Sequence, residues 1–369
     1  MLFNNISLKA PLQVDLNLTN RCNLNCSYCY ASANERIKIN EELKTEELFN
    51  LLEEFSEIGI LKVLFSGGEP LLRKDIEEII LLSRNFPFAI ILTTNGTLIS
   101  EEIAKVIKKA KISLVNVSLE GLRAEIHNKI RGKNSFNKVL KGIEILRKED
   151  IPFSIGTTLN SLNLNYILEM IDFASKLRAK LFAIQTICPA GRGVKNLDII
   201  PSYEDFKNFF LKLTNLKKED KLPLKIKLNV TNESPIFWEY YFPLKESNRI
   251  DDLSKVWGFD LNIKIKNQIS CIAGRKTCSI DANGDVYPCE MFLGNLSMIA
   301  GNIRKANFKK IWDDSPVFKY LRKLTKKDID EPCRSCPNEW CGAGCRAAAL
   351  SLTGSIKGAD THCIYANKK

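Results

Sequence analysis

From Leu12 to about Ile187 the sequence alternates short β-rich runs with longer amphipathic ones. That alternation narrows the possible folds more than any other feature. Segments 14–19, 62–66, 89–94, 113–119, 153–159 and 181–187 read as strands, rich in β-branched and aromatic residues. Segments 45–58, 74–85, 100–109, 136–149 and 163–177 read as helices. Thr45 reads as an N-cap, with Leu48, Leu51, Leu52 and Phe55 forming one apolar stripe behind it. Ser100 before Glu101 and Glu102 marks another start, because carboxylates suit a helix N-terminus. Six strand–helix units in a row predict a parallel sheet with right-handed crossovers, curled as a barrel or doubly wound. Either way, ligands bind at the carboxyl ends of the strands. The loops that leave those ends begin at Cys22, Ser66, Thr94, Ser118, Thr158 and Cys188.

The first of these loops holds Cys22, Cys26 and Cys29 within eight residues. Three thiolates on one short loop can surround a metal centre and leave a fourth position open. Zinc sites usually close four ligands. A cubane iron–sulfur cluster suits three clustered cysteines better, since each thiolate takes a different corner. Of the twelve cysteines, eight more fall late in the chain, at Cys271, Cys278, Cys289, Cys333, Cys336, Cys341, Cys345 and Cys363. They divide into two sets of four, enough for two fully ligated clusters or two four-cysteine zinc sites. Cys188 is left over.

Around these motifs the chain is ordinary. Hydrophobic content is 45% and charged content 26%, as in globular proteins. No apolar run reaches a membrane span, and residues 1–11 lack a signal-peptide pattern, so a cytoplasmic location is expected. The cytosol keeps thiols reduced, which turns clustered cysteines toward metal. The net charge of +11 is spread along helical stretches rather than gathered in a block, so nucleic acid is not an expected partner.

Residues 1–200 form the expected βα core, 201–270 a bridging helical and aromatic segment, and 271–369 a cysteine-rich α+β domain. The aromatic stretch Phe237, Trp238, Tyr240, Tyr241 and Phe242 is expected to pack between domains. Residues 281–289 read as a hairpin with an Asn283-Gly284 turn that delivers Cys289.

The chain resembles the radical S-adenosylmethionine (SAM) enzymes, in the branch with a C-terminal SPASM domain. Cys22-x₃-Cys26-x₂-Cys29, with Tyr28 before the last cysteine, matches the superfamily signature, and Gly67-Gly68-Glu69-Pro70 matches its second motif. Cys271-x₁₂-Gly284-x₄-Cys289, then Cys333-x₂-Cys336-x₄-Cys341-x₃-Cys345, then Cys363, resembles the SPASM pattern, with four residues between Cys336 and Cys341 where five is usual. The resemblance implies a partial (β/α)6 barrel followed by a small α+β domain carrying auxiliary clusters. It implies that Cys22, Cys26 and Cys29 hold a [4Fe–4S] cluster whose open iron takes S-adenosylmethionine. Electron transfer from that cluster would release a 5′-deoxyadenosyl radical that abstracts a substrate hydrogen. Gly67, Gly68 and Glu69 would hold the methionine amino group, and Tyr28 lies on the cofactor side. Asn95 and Ser118 fall where relatives contact the nucleoside, and Arg131 where they pair the cofactor carboxylate. By the same analogy Cys271, Cys278, Cys289 and Cys345 would form one auxiliary site and Cys333, Cys336, Cys341 and Cys363 the other. Glu290 stands where some relatives carry a catalytic base. Cys188, on the catalytic rim, is either a small core residue or a hydrogen donor.

The leading expectation is an oxidoreductase that modifies a ribosomally made peptide or protein by crosslinking, thioether formation or side-chain oxidation. A low-potential donor such as ferredoxin or flavodoxin would supply electrons. With Cys22 so near the start of the sequence, a separate peptide carrier protein is a further expected partner. The alternative is haem or other porphyrin side-chain tailoring, to which the Cys341–Cys345 run and Thr353-Gly354 point equally well. A third class is a non-catalytic iron–sulfur electron carrier or zinc scaffold.

Overall fold

The computed structural model describes residues 8–36, 39–228, 238–262, 267–360 and 363. The strands are β1 (Gln13–Thr19), β2 (Lys62–Gly67), β3 (Ala89–Thr94), β4 (Leu114–Ser118), β5 (Phe153–Leu159), β6 (Phe182–Thr186), β7 (Ile226–Leu228), β8 (Thr277–Ile280), β9 (Asp285–Tyr287) and β10 (Gly301–Asn302). They form one sheet in the order β10-β9-β8-β1-β2-β3-β4-β5-β6-β7. From β8 through β7 every pairing is parallel, and β9 and β10 turn antiparallel at one edge. The end strands do not pair with each other, so the barrel is partial.

Period-2 alternation sets what each face carries. On β1, Val14, Leu16 and Leu18 join the main apolar core, while Asp15, Asn17 and Thr19 face the other way. Polar inner residues recur along the sheet: Ser66 reaches both Asp15 and Asn17, and Ser154 donates to Asn116 at 3.0 Å. The outer layer holds α1 (Thr45–Glu57), α2 (Ile76–Ser83), α3 (Glu101–Ala110), α4 (Ala124–Arg131), α5 (Phe136–Lys148) and α6 (Ile167–Lys176). Lys44, not Thr45, is the N-cap of α1, with Glu47 accepting from the Lys44 N–H at 2.8 Å.

Three elements depart from the sequence reading. Helix α4 follows β4, where the charged run Arg123–Arg131 hides a short apolar stripe. Strand β7 is a seventh parallel strand, only three residues long. The expected hairpin is present, with Gly284 at φ +88° and its N–H on Asp281 O at 2.8 Å. However, β8 pairs with β1, so the cysteine-rich region continues the barrel sheet. That pairing joins segments more than 250 residues apart, which local pattern does not reveal.

The remaining helices are α7 (Tyr203–Lys218), α8 (Trp238–Glu246), α9 (Asp252–Lys255), α10 (Phe308–Asp314), α11 (Pro316–Lys323) and α12 (Arg346–Thr353). Phe210 stacks on Trp257 at 5.3 Å and meets Tyr240 edge-on at 5.4 Å. Tyr241 reaches Trp340 at 5.9 Å, so this aromatic segment does pack against the C-terminal region. Phe237 lies outside the described residues. Among the described residues no helix is long and apolar enough to cross a membrane.

Candidate functional site

The Cys22–Cys29 loop springs from β1 and is fixed from several sides. Asn34, at φ +73°, accepts the Cys22 N–H at 2.8 Å and donates to Cys22 O at 2.9 Å and Leu24 O at 3.2 Å. Its root is covered by Gly67 and Gly68. A Cβ there would stand 2.4 Å from Thr19 O and 2.1 Å from Arg21 O, so only glycine allows this approach. Glu69 is fully buried, and its carboxylate accepts from Thr94 Oγ1 at 2.7 Å, Asn95 N–H at 2.8 Å and Leu71 N–H at 3.2 Å. Burial raises its pKa against those bonds. The side chain thus ties two rim loops together, with about one of four lone-pair positions left over. The Asn95 amide donates to Asn23 Oδ1 at 2.8 Å and faces Cys22 Sγ at 3.9 Å. Ser118 ends β4 in register with Gly156.

Arg131 closes α4 and approaches the same loop. Its Nη2 and Nε donate to Glu120 at 2.8 and 3.2 Å, while Nη1 faces Cys26 Sγ at 3.8 Å. Within the protein its partner is the Glu120 carboxylate. Tyr28 also donates to Glu120, and its ring lies under the Arg131 guanidinium at 5.6 Å. Glu120 is fully buried and accepts from the Thr157 hydroxyl and the Thr158 N–H as well. It is the hub of this half of the site; the sequence places it in the rim loop that begins at Ser118 but gives it no role. Arg192 was likewise without an assigned role. It donates to Cys26 O at 2.9 Å and Ala33 O at 2.6 Å, and its N–H reaches Cys29 O at 3.0 Å.

Deeper in the barrel, Asp15 and Glu290 lie near each other and near Tyr30. Burial first, then the Glu290 charge, push the Asp15 carboxyl up to about 8. Burial also raises Glu290. Glu290 is deep in the molecule yet keeps part of its side chain open, so it is an interior group and not a surface glutamate.

The late cysteines gather in two places. Cys333, Cys336, Cys341 and Cys363 line one cavity, walled on its apolar side by Trp238 and Phe242. Cys271, Cys289 and Cys345 converge separately, each close enough to raise another's pKa beyond the dominant effect of burial. Cys278, expected with them, is fully buried in the main core, in register with Val14. Cys188 lies instead within hydrogen-bond reach of Cys345. Among the described residues no three His, Cys, Asp or Glu groups draw close enough to hold a single metal ion, and all twelve cysteines are free thiols.

Several observations fit these thiols to clusters. Burial pushes Cys22 up to about 11 and raises Cys26, and a metal held there would supply the positive charge that ionises them. Backbone N–H groups point at the sulfurs, Leu24 to Cys22 at 3.4 Å and Ala348 to Cys345 at 3.5 Å, which favours thiolate. Arg346 is fully buried, and its charge acts on both Cys271 and Cys333. It donates to Gly358 O at 2.7 Å and Ile356 O at 3.1 Å, but its Nε is unpartnered. Among the described residues no carboxylate pairs with it. A buried cation without a counter-charge is costly. Anionic thiolate-held clusters on either side would compensate it.

Known proteins show the same organisation. Residues 16–174 match the Radical SAM superfamily and residues 271–337 match an iron–sulfur cluster-binding domain, SPASM. An AdoMet-dependent heme synthase of Methanosarcina barkeri is 32% identical, over 96% of this chain and 97% of that protein. The Fe-coproporphyrin III synthase of the same organism is 30% identical, over 98% and 89%. A mycofactocin maturase of Mycolicibacterium smegmatis is 28% identical, over 97% and 83%. Among solved structures, Streptococcus suis SuiB bound to S-adenosylmethionine superposes with a TM-score of 0.74 at 18% identity, over 96% of this chain and 77% of that one. The chain belongs to the radical SAM superfamily, in the branch that carries a SPASM domain. It is an enzyme whose resident groups are [4Fe–4S] clusters and S-adenosylmethionine. Together these groups supply hydrogen-atom abstraction by an adenosyl radical.

Proposed function

We propose that this enzyme tailors a porphyrin, converting propionate side chains to vinyl groups. Of the two substrate classes expected from the sequence, the similarity to the AdoMet-dependent heme synthase, end to end in both chains, favours this one. The Fe-coproporphyrin III synthase relative also acts on this class, by its name. Each conversion removes one hydrogen atom from the carbon next to the ring, releases carbon dioxide and leaves one electron over. The reaction therefore needs an electron acceptor as well as a donor.

In this reading Cys22, Cys26 and Cys29 hold the cluster that binds S-adenosylmethionine. Gly67, Gly68, Glu69, Asn95, Ser118 and Tyr28 shape the cofactor pocket, and Arg131, held by Glu120, adds positive charge beside it. Cys333, Cys336, Cys341 and Cys363 hold one auxiliary cluster. Glu290, with Asp15, places protonatable carboxyl groups inside the barrel beside the substrate space. A ferredoxin or flavodoxin supplies electrons in the cytoplasm. The chain works as three parts: a core over 1–200, a bridge over 201–270 and a cluster domain over 271–369.

The test is anaerobic reconstitution followed by iron coproporphyrin III, S-adenosylmethionine and reductant. The expected products are 5′-deoxyadenosine and a porphyrin that has lost carbon dioxide and two hydrogens for each side chain converted, read by mass spectrometry. Cofactor cleavage with an unaltered porphyrin rejects the proposal. The second reading, peptide modification with a separate carrier protein, rests on the similarity to the mycofactocin maturase. It predicts cofactor cleavage stimulated by a short peptide encoded nearby, with no response to porphyrin.

A further inference from the structure

We propose that the fourth thiolate of the first auxiliary cluster comes from Cys188, on the barrel rim, and that Cys278 is a core residue. The inference rests on membership of the family and not on the porphyrin reading.

The register of β8 excludes Cys278. Strand β8 runs parallel to β1 with Cys278 beside Val14 and Ile280 beside Leu16. All four side chains are fully buried in the main apolar core, with Trp312 and Phe318. Thr277 and Ser279 occupy the opposite face, by the period of a strand. Cys271, Cys289 and Cys345 pack, partly buried, against a second apolar cluster. Bringing Cys278 to them requires β8 to slip by one residue, which would expel Ile280 from the core as well.

Cys188 meets the requirements that Cys278 fails. Its thiol is within hydrogen-bond reach of Cys345, and the charge of Cys289 also acts on it. It lies deep in the molecule, yet part of its surface stays open, as for Cys271, Cys289 and Cys345. With Cys188 the interior group counts four thiols, the number a four-iron cluster needs for its corners. The backbone there is closely held. The Ala190 N–H bonds Cys188 O at 2.8 Å, and a Cβ on Gly193 would fall 2.7 Å from that same oxygen. The Arg192 N–H then anchors the turn to Cys29 O at 3.0 Å. Cys188 is thus presented by a fixed turn that touches the S-adenosylmethionine-binding loop on one side and the C-terminal thiols on the other. A cluster bound there would bridge the barrel rim to the C-terminal region through iron.

The test uses the full chain with Cys22, Cys26 and Cys29 replaced by alanine, so that only auxiliary clusters form after anaerobic reconstitution. Cys188→Ala, Cys188→Ser and Cys278→Val are compared with this parent for iron, sulfide and the EPR spectrum of the reduced protein. Cys278→Val should match the parent. Cys188→Ala should lose one four-iron cluster, or retain it with an open iron whose EPR signal shifts on adding cyanide. Cys188→Ser, which offers an oxygen ligand with little change in volume, should keep more iron and shift the signal. Parent-like iron, spectrum and cyanide response in both Cys188 variants would overturn the proposal. So would loss of one cluster in Cys278→Val.

Discussion

The chain handles thiols in two ways. In the barrel, three cysteines sit within eight residues on one loop, and the rest of the site serves to hold that loop. In the C-terminal region, thiols from several segments meet only after the chain has folded. The first arrangement fixes its ligands by local spacing, and remote residues add rigidity. The second depends on strand register and long-range packing for the ligands themselves. Damage to the first should therefore be confined, whereas damage to the contacts between the regions should reach both.

The largest expected effect tests that confinement. Cys22→Ala should reduce 5′-deoxyadenosine formation to the level of a control without enzyme, because a cluster with two thiolates does not hold its cubane. Iron bound by the C-terminal thiols should stay. Loss of all iron would show that the two regions fold as one metal-dependent unit. Next comes Glu120→Gln, which leaves Arg131 without its buried counter-charge. Breaking such a pair costs about 3 kcal/mol. We expect that loss in a denaturation experiment, with weakened cluster binding at the barrel loop and normal iron at the auxiliary sites.

Gly191→Ala targets the contact between the regions. Gly191 has φ +51°, and a Cβ there would stand 2.3 Å from Tyr30 O and 2.5 Å from Cys29 O. The strained turn carries both Arg192, which grips the first loop, and Cys188. We expect a loss of about 2 kcal/mol. Reconstitution should show altered EPR signals from the barrel cluster and the first auxiliary cluster together. A change in only one would show that the turn does not couple them.

What the sequence made legible follows the same division. The six barrel strands and the cysteine loop were readable because period-2 alternation and close spacing are local signals. Strand β7 has three residues, too few for a pattern, and the β8–β1 pairing is non-local. A count of cysteines groups Cys278 with Cys271, Cys289 and Cys345, whereas strand register places it on the core face beside Val14. Its neighbours Thr277, Ser279 and Ile280 carried the alternation that distinguishes the faces. Arg346 had a usable signal too, as a lone charge opening the apolar helix Arg346–Thr353. Glu120 had only its place on the rim loop after β4, since its importance comes from Tyr28, Arg131 and Thr157, which reach it from three different segments.

The last expected effect is a change of slope with pH where the two regions meet inside the barrel. Asp15 belongs to β1 and Glu290 to the C-terminal region. In the unfolded chain Asp15 ionises near 3.8, but in the folded protein it keeps its proton up to about 8. The folded state therefore binds more protons across that interval. Its stabilising contribution is complete below pH 4 and is lost as pH rises toward 8. Asp15→Asn carries no proton in either state and should lack this loss. The variant should gain stability relative to the parent as pH rises from 5 to 8, by at most about 1.4 kcal/mol per pH unit. Thermal midpoints of both proteins across that range measure it, and parallel profiles reject it. Because the Glu290 charge is the second cause of the shift, Glu290→Gln should move the window to lower pH without removing it. If Glu290→Gln left the window unmoved, burial alone would account for Asp15, and the two regions would be adjacent there without being electrostatically linked.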